Sequence, residues 1–550
     1  MKNSKKFTFY LNIVLGLFLL LNYLIYLPNL NPLYGEGAFA LLLTASLFFV
    51  INSPSALSSV TVLREGKTNF NVKVDRKAKG VQKILKILGT LWGLYFLAFV
   101  LSTPLFRSSA YRDQLGTPNI SDFSDDIQLV DLSQVPIVDK ALAATLADKK
   151  LGENPGMGSQ VFLGEPVIQQ VNGELLWIVP LQHSGFFKWL QNNQGSAGYI
   201  RVSATNQQDI QFVETPIKYQ PYSFFWDDIT RYLRTVKGYV FSGLTDYSFE
   251  IDDNDEPYWI ITTYENAWLY ALPEATGVIT LHASTGETDH YAIEEVPQWV
   301  DRVQPEDFIV NQINNQGLFV HGVFNFSNKD KFQSSREEAI IYNEGNCYLF
   351  TGLTSVGTDE SAIGFIMVNM VTKESKIYQI PGATENKAME SAQGEVQQYG
   401  YYATSPIIIN HKSIPTYFIT LKDNGGLIKQ YAFVSVADVT TVGAGETIAL
   451  ALRDYDLSLS ATNTFVQNTG EELSFTGTVE RIAYENTGMD ENYKLILKEK
   501  NDKIFLLAPE LSQELALTMV GDQVTLYYYQ TEDGVITATQ FDNKEYNQSE

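Results

Sequence analysis

The residues best suited to chemistry are His282 and His290, which flank the turn Ser284-Thr-Gly-Glu287. If that turn centres near Gly286, the two imidazoles fall opposite each other across a hairpin, with Asp289 adjacent. Cross-strand neighbours are close enough to share a metal. Two imidazoles are fewer ligands than a zinc site uses, so the competing reading is an ordinary surface hairpin. The remaining histidines are His183, His321 and His411. The run Asp252-Asp-Asn-Asp-Glu256 has the residue types of a calcium loop. It lacks the Gly that permits the sharp turn and the Glu spaced to close the loop, and reads as a solvated turn before Pro257-Tyr-Trp259. Gly443-Ala-Gly445 is too short for a nucleotide fingerprint and has no βαβ context. Cys347, beside Tyr348 and Leu349 in a strand-like run, reads as a buried structural thiol. Neither a Gly-x-Ser-x-Gly elbow nor a Ser-x-x-Lys at a helix start occurs, so no catalytic residue and no cofactor is expected.

The elements around these residues begin with a membrane part. Apolar runs span 7–27, 37–51 (with a small-residue extension over 53–62) and 84–106, the last containing Trp92, Tyr95 and Phe96. Each of the outer two matches the thickness of a bilayer core. The first is followed by Tyr26-Leu27-Pro28 rather than a small-residue cleavage site, and more apolar runs come after it, so it reads as a span and not a signal peptide. Lys2, Lys5 and Lys6 precede the first span. Arg64, Lys67, Lys73, Arg76, Lys77, Lys79, Lys83 and Lys86 lie between the second and third, while 28–36 carries no Lys or Arg. The positive-inside rule places the N-terminus and the basic loop 63–86 in the cytoplasm, and everything after about 107 outside the cell membrane. The basic loop is explained by topology and anionic lipid. Asn12 and Asn22 fall inside the first span, where they either bond between helices or sit near its ends.

With 39 Lys and Arg against 63 Asp and Glu, the formal net charge is −24. A nucleic-acid partner needs a concentrated basic patch, so none is expected. A single cysteine excludes an intrachain disulfide. In an extracytoplasmic protein this means stability from cores rather than staples, as in a bacterial envelope with one membrane.

After a polar linker at 107–136, the chain repeats. Four hairpins, 166–177, 247–259, 339–348 and 406–417, each join a short strand through Asn, Asp, Gly or Ser to an aromatic-rich strand. A second strand pair follows each, at 198–205, 277–287, 364–372 and 427–435. Helical spacing precedes them at 139–150, 226–236, 306–315 and 387–399, with Trp226, Ile229 and Leu233 on one face of the second. The resulting units are 137–237, 238–305, 306–385 and 386–455. A helix followed by an antiparallel meander is an α+β unit.

This order, with Ala283-Ser-Thr-Gly-Glu287 closing the second unit, resembles the PepSY family of extracytoplasmic bacterial modules. The motif is found in the second unit only; the other units lack Thr-Gly-Glu, with Ala204-Thr-Asn206 and Val371-Thr-Lys373 at the equivalent place. The resemblance implies a binding or regulatory module with a role in restraining proteases, and carries no functional residues with it. After a second linker at 456–472, five strands with a helical stretch at 509–517 follow the pattern of a small OB-like β-barrel over 473–543, and a short tail covers 544–550.

The expectation is a multi-pass membrane protein: transmembrane α-helices, then repeated α+β units, then a β-barrel. Its function reads as a non-enzymatic binding or scaffold protein of a bacterial envelope. Its partners would be the lipid bilayer, an envelope protein and, through the short helices, a second copy of itself. A regulator of an extracytoplasmic protease and an enzyme with a site between units are the alternatives.

Overall fold

Three apolar helices lead the chain: α1 (Lys2–Tyr26), α2 (Gly35–Asn52) and α3 (Lys79–Leu101). The computed structural model describes residues 2–52, 60–65, 69–74, 79–127, 135–357, 361–463, 472–486, 491–529 and 535–546. Within these helices Thr8–Tyr26, Gly35–Asn52 and Val81–Leu101 are long and apolar enough to cross a bilayer. Their outward side chains are apolar and exposed, as lipid contact requires. Asn12 and Asn52 exchange side-chain hydrogen bonds of 2.8 Å, tying the start of α1 to the end of α2. Trp92 of α3 donates to the Ser46 hydroxyl of α2 at 3.0 Å.

Two expectations about the spans are corrected. The third ends at Leu101 rather than Phe106, because Pro104 lacks an N–H and opens a separate helix, α4 (Pro104–Arg112). Of the extension at 53–62, residues 53–59 lie outside the described residues, and Val60 is not helical but begins a strand, β1 (Val60–Glu65), paired antiparallel with β2 (Asn69–Val74).

The rest of the first compact unit (Met1–Lys429 with Val434–Thr440) is built of meanders. The first sheet holds β4 (Val161–Leu163), β5 (Val167–Val171), β6 (Glu174–His183), β7 (Ser196–Ser203) and β8 (Ile210–Ile217). The second runs β9 (Gly243–Ile251), β10 (Pro257–Trp268), β11 (Ala271–His282), β12 (Thr288–Ala292). The third has β13 (Phe332–Asn343), β14 (Asn346–Ser355), β15 (Ser361–Asn369), β16 (Ser375–Tyr378) and the short β17 (Gly382–Ala383). The fourth begins with β18 (Tyr402–Ala403), β19 (Ile407–His411) and β20 (Ile414–Lys422). All four hairpins form. Three turn through paired positive-φ residues, Asn172-Gly173, Glu344-Gly345 and Lys412-Ser413, whose twist matches the flanking strands. In the fourth, Asp252 folds the turn on itself by accepting from the Asn254 and Glu256 N–H groups at 2.9 Å.

Helices α5 (Lys140–Gly152), α6 (Ile229–Thr235), α7 (Glu306–Leu318) and α8 (Glu385–Glu395) each precede a meander. Ile229 and Leu233 of α6 are buried, but Trp226 lies in a preceding 3-10 turn and is exposed, so the expected three-residue face is cut to two. A main-chain latch holds each helix entry to its own sheet. Ala204, Ala283 and Met370 each accept two successive N–H groups, from Ile137 and Val138, Lys218 and Tyr219, and Val303 and Gln304, at 2.8–3.0 Å. Val436 accepts once, from Ala383 at 2.9 Å. All four acceptor residues are buried.

Of the expected linker 107–136, the part up to Ile127 is built into the fold, and 128–134 lie outside the described residues. β3 (Asn119–Ser121) adds to the third sheet parallel to β16, and a helical turn at Phe123–Asp126 follows. Leu115, Phe123 and Ile127 are buried. The Asp126 carboxylate pairs with Lys376 at 2.7 Å. Its polar composition hid three apolar residues spaced too widely for a periodic signal.

The polypeptide leaves this region along β21 (Ile428–Ser435). The second compact unit, Gln430–Phe433 with Thr441–Glu550, contains β22 (Val442–Gly445) and α9 (Ile448–Asn463). Residues 442–455, expected within the fourth unit 386–455, thus fall in the second compact unit. The glycines explain their union: a Cβ on Gly443 would stand 2.0 Å from the Tyr455 nitrogen, so the Gly-Ala-Gly strand serves close helix packing. The linker expected at 456–472 is helical to Asn463, and 464–471 lie outside the described residues. A five-stranded barrel follows: β23 (Glu472–Asn486), β24 (Glu491–Leu497), β25 (Lys500–Leu507), β26 (Gln523–Tyr529) and β27 (Val535–Asn543). β23 pairs with both β24 and β26, and β25–β27 is the parallel pair among antiparallel ones. The stretch 509–517 forms two 3-10 turns rather than an α-helix. Val479, Leu495, Phe505, Leu526 and Phe541 belong to the barrel core.

Candidate functional site

A cleft opens where the first, third and fourth meanders meet. It comprises cavities of about 350 and 270 Å³ that share Pro136, Ile168, Ile340 and Ile407 as lining residues. β13 and β19 form its walls, and each is a sheet's outermost strand. Among the described residues β13 pairs with β14 alone and β19 with β20 alone. Their Ile340, Ile341, Ile407, Ile408 and Ile409 give the walls a β-branched, apolar surface.

β5 lies at the floor, and side chains occupy parts of its edge. The Gln170 N–H donates to Asp301 at 2.9 Å. The Ile168 carbonyl accepts from the Tyr342 hydroxyl at 3.1 Å and from the Arg302 guanidinium at 3.3 Å. Gln169 closes the neighbouring β9 edge the same way, accepting from the Ile251 N–H at 2.9 Å and donating to the Ile251 carbonyl at 2.7 Å. A strand edge covered by side chains cannot take another strand there.

Beneath the floor lies a buried polar network that sequence reading missed. Asp301 accepts from Gln170 and, at 2.8 Å, from Tyr342, while its own N–H donates to the fully buried Glu250 at 3.2 Å. Ser248 donates to the other Glu250 oxygen at 3.1 Å, and Arg302 pairs with Glu306 at 2.7 Å at the cleft margin. Burial, with Asp301 nearby, pushes the Glu250 carboxyl up to about 8. Burial also raises Asp301. The sequence signal available was Asp301-Arg302 set between Val300 and Val303, a charged pair inside an apolar stretch.

Asn410 is the cleft's other polar feature. It is 1 % exposed, and its amide donates to the Ile127 carbonyl at 2.6 Å. Its Oδ1 has no partner among the described residues. A buried amide oxygen without a donor costs free energy unless a ligand or water supplies one. Opposite, Ser405 of the fourth meander donates to Glu337 of the third at 2.7 Å.

The histidine pair is not formed. His290 registers with Ile279, three residues from His282, and an odd offset puts the two side chains on opposite faces of the sheet. The turn is centred between Ser284 and Thr285 rather than at Gly286: the His282 N–H bonds to the Glu287 carbonyl and Leu281 registers with Thr288, so His282 faces Glu287. The His282 ring accepts the Ser284 N–H at Nδ1 (3.2 Å) and stacks edgewise on Tyr258. His290 lies beside Tyr239. Cys347 is buried in β14, and burial pushes its thiol up to about 12.

No protein-family model and no curated protein matches this chain. Among solved structures, a levansucrase from B. megaterium is similar at 9 % identity and a TM-score of 0.20, covering 77 % of this chain and 96 % of that one. An ACO/RPE65 chimera is similar at 9 % identity and a TM-score of 0.14, covering 51 % of this chain and 49 % of that one.

Proposed function

We propose that this protein is a membrane-anchored, non-enzymatic binding protein that takes an extended segment of another envelope protein into the cleft between β13 and β19. The observation that carries the reading is the pair of single-partner strands facing one apolar cleft. An exposed strand edge offers main-chain donors and acceptors to an incoming strand, and flanking pockets select its side chains. The unpartnered Asn410 Oδ1 supplies one fixed acceptor inside that cleft.

The basic residues at 63–86 favour an extracytoplasmic position for the meanders by the positive-inside rule. The helix-first antiparallel units are compatible with PepSY-like modules. The strand order of the tail, with its parallel β25–β27 pair, supports the OB-type reading of the barrel.

The test is site-specific photocrosslinking of the full chain in its native membrane, with a benzophenone side chain at Ile341 or Ile407. Both positions should capture the same protein, and the same probe at exposed Asp209 should not. Capture of nothing, or equal capture from Asp209, would remove the cleft from the function.

A further inference from the structure

Arg231 of α6 connects the meander region to the membrane helices. Its Nε and Nη2 donate to the Leu24 carbonyl at 3.1 and 3.0 Å, and its Nη1 donates to the Phe225 carbonyl at 2.7 Å. Leu24 lies in the last turn of α1, where carbonyls have no intrahelical donor. Arg231 therefore holds the segment Tyr222–Trp226 level with the end of a membrane-spanning helix.

That segment is part of an exposed aromatic patch. The six-residue helix Phe186–Gln191 packs against it: Phe186 meets Phe224 at 5.3 Å between ring centres, and Trp189 meets Phe225 at 5.6 Å. The Trp189 indole is anchored by Asp227 at 2.7 Å. Yet Tyr222 is 93 % exposed, Phe187 75 % and Leu190 55 %. A contiguous aromatic surface of this kind is not left in water without a partner.

Two further contacts fix the same level. Trp268, at the tip of the β10–β11 hairpin, donates to the Leu101 carbonyl at the end of α3 (3.1 Å), and Arg107 stacks on its ring at 4.0 Å. Tyr270 donates its N–H to Ser102 at 3.1 Å and packs on the position of Gly35, where α2 begins. The ends of all three spans thus meet the meander region, and the patch continues that face outward.

We propose that the patch formed by Phe186–Leu190 and Tyr222–Trp226 inserts into the lipid interface of the leaflet at the Tyr26–Leu101 side, as a second, non-spanning attachment to the bilayer. The occupant is lipid because the patch is continuous with the spans through Arg231. Aromatic side chains with a polar atom at one end settle at headgroup level, and Lys188, on the same short helix as Phe187 and Leu190, has a stem long enough to extend its ammonium from an apolar surface toward headgroups.

The test uses the sole cysteine to advantage. A Cys347→Ser chain carrying Phe187→Cys is spin-labelled and reconstituted, full length, into phosphatidylcholine–phosphatidylglycerol vesicles. The label should lose its broadening by a water-soluble nickel complex and gain broadening by oxygen, at a depth of about 5–10 Å. A label at Asp209→Cys, at the opposite end of β7, should keep the nickel broadening. Nickel access at Phe187 equal to that at Asp209 would overturn the proposal. A label at Leu190→Cys decides the same question if the Phe187 variant does not fold.

Discussion

The Lys422 ammonium, 2 % exposed, lies 2.6 Å from the Asp139 carboxylate, so the fourth meander is tied to the helix entry of the first. Asp139 also caps α5, accepting the Leu142 N–H at 2.8 Å. One carboxylate thus satisfies a helix end and a buried cation. Asp139→Ala removes both roles and leaves Lys422 buried without its anion. It should cost about 2–4 kcal/mol. Lys422→Met, which leaves the cap intact and no orphan charge, should cost clearly less. Chemical denaturation of the full chain in detergent measures both, and equal losses would mean that neither the cap nor the unpaired ammonium adds to the loss of the ion pair itself.

The indole of Trp259 donates to the Tyr219 carbonyl at 2.9 Å, and that of Trp177 to the Val138 carbonyl at 2.7 Å. At the matching place in the fourth unit, the Tyr417 hydroxyl donates to Ala383 at 2.9 Å. Trp259→Phe should therefore destabilise by about 1–3 kcal/mol, since it leaves a buried carbonyl without this donor. Tyr417→Phe should fall at the lower end of that range, keeping the ring and losing only the hydroxyl. The unfolding midpoint is the readout.

Glu250 sets a pH dependence whose sign follows from its raised carboxyl. In the unfolded chain it ionises near the ordinary carboxylate range, whereas in the fold it holds its proton up to about 8. The folded state binds the extra proton between those limits. Its contribution to stability is complete below the ordinary range and is lost as pH rises toward 8, with a slope of about 1.4 kcal/mol per pH unit for one proton. Glu250→Gln should flatten that slope between pH 5 and 8. An unchanged slope would assign the titration to other groups, Asp301 first among them.

Cys347 should resist a maleimide in the native state and react once the chain is denatured, because burial both shields the thiol and disfavours the thiolate. Labelling followed by mass spectrometry, with and without denaturant, checks this. Rapid labelling of the native protein would show that β14 opens.

The hairpins were legible because their signals are local: a turn residue with positive φ between β-branched and aromatic runs. Helix starts were legible at Asp139 for the same reason. The His282–His290 pairing was misplaced because the turn closes earlier than Gly286, which shifts the register by three residues, and any odd shift reverses the face of every side chain beyond the turn. The floor of the cleft was hidden for another reason. Gln170, Glu250, Asp301 and Tyr342 come from four separate segments, and no single window of sequence contains the network they form. The strap at 115–127 was missed because its few buried residues are surrounded by polar ones that remain at the surface.

The latch at Ala204, Ala283, Met370 and Val436 has a bearing on ancestry. Each joins a helix entry to the meander that follows it, so that the donor segment, the helix and the acceptor lie in one continuous stretch: 137–204, 218–283, 303–370 and 383–436. Such a stretch can be copied by tandem duplication with its folding instructions complete, while interfaces such as Lys422 with Asp139 must arise afterwards by substitution. A duplicated stretch would carry the latch in its main-chain geometry however far its side chains diverged.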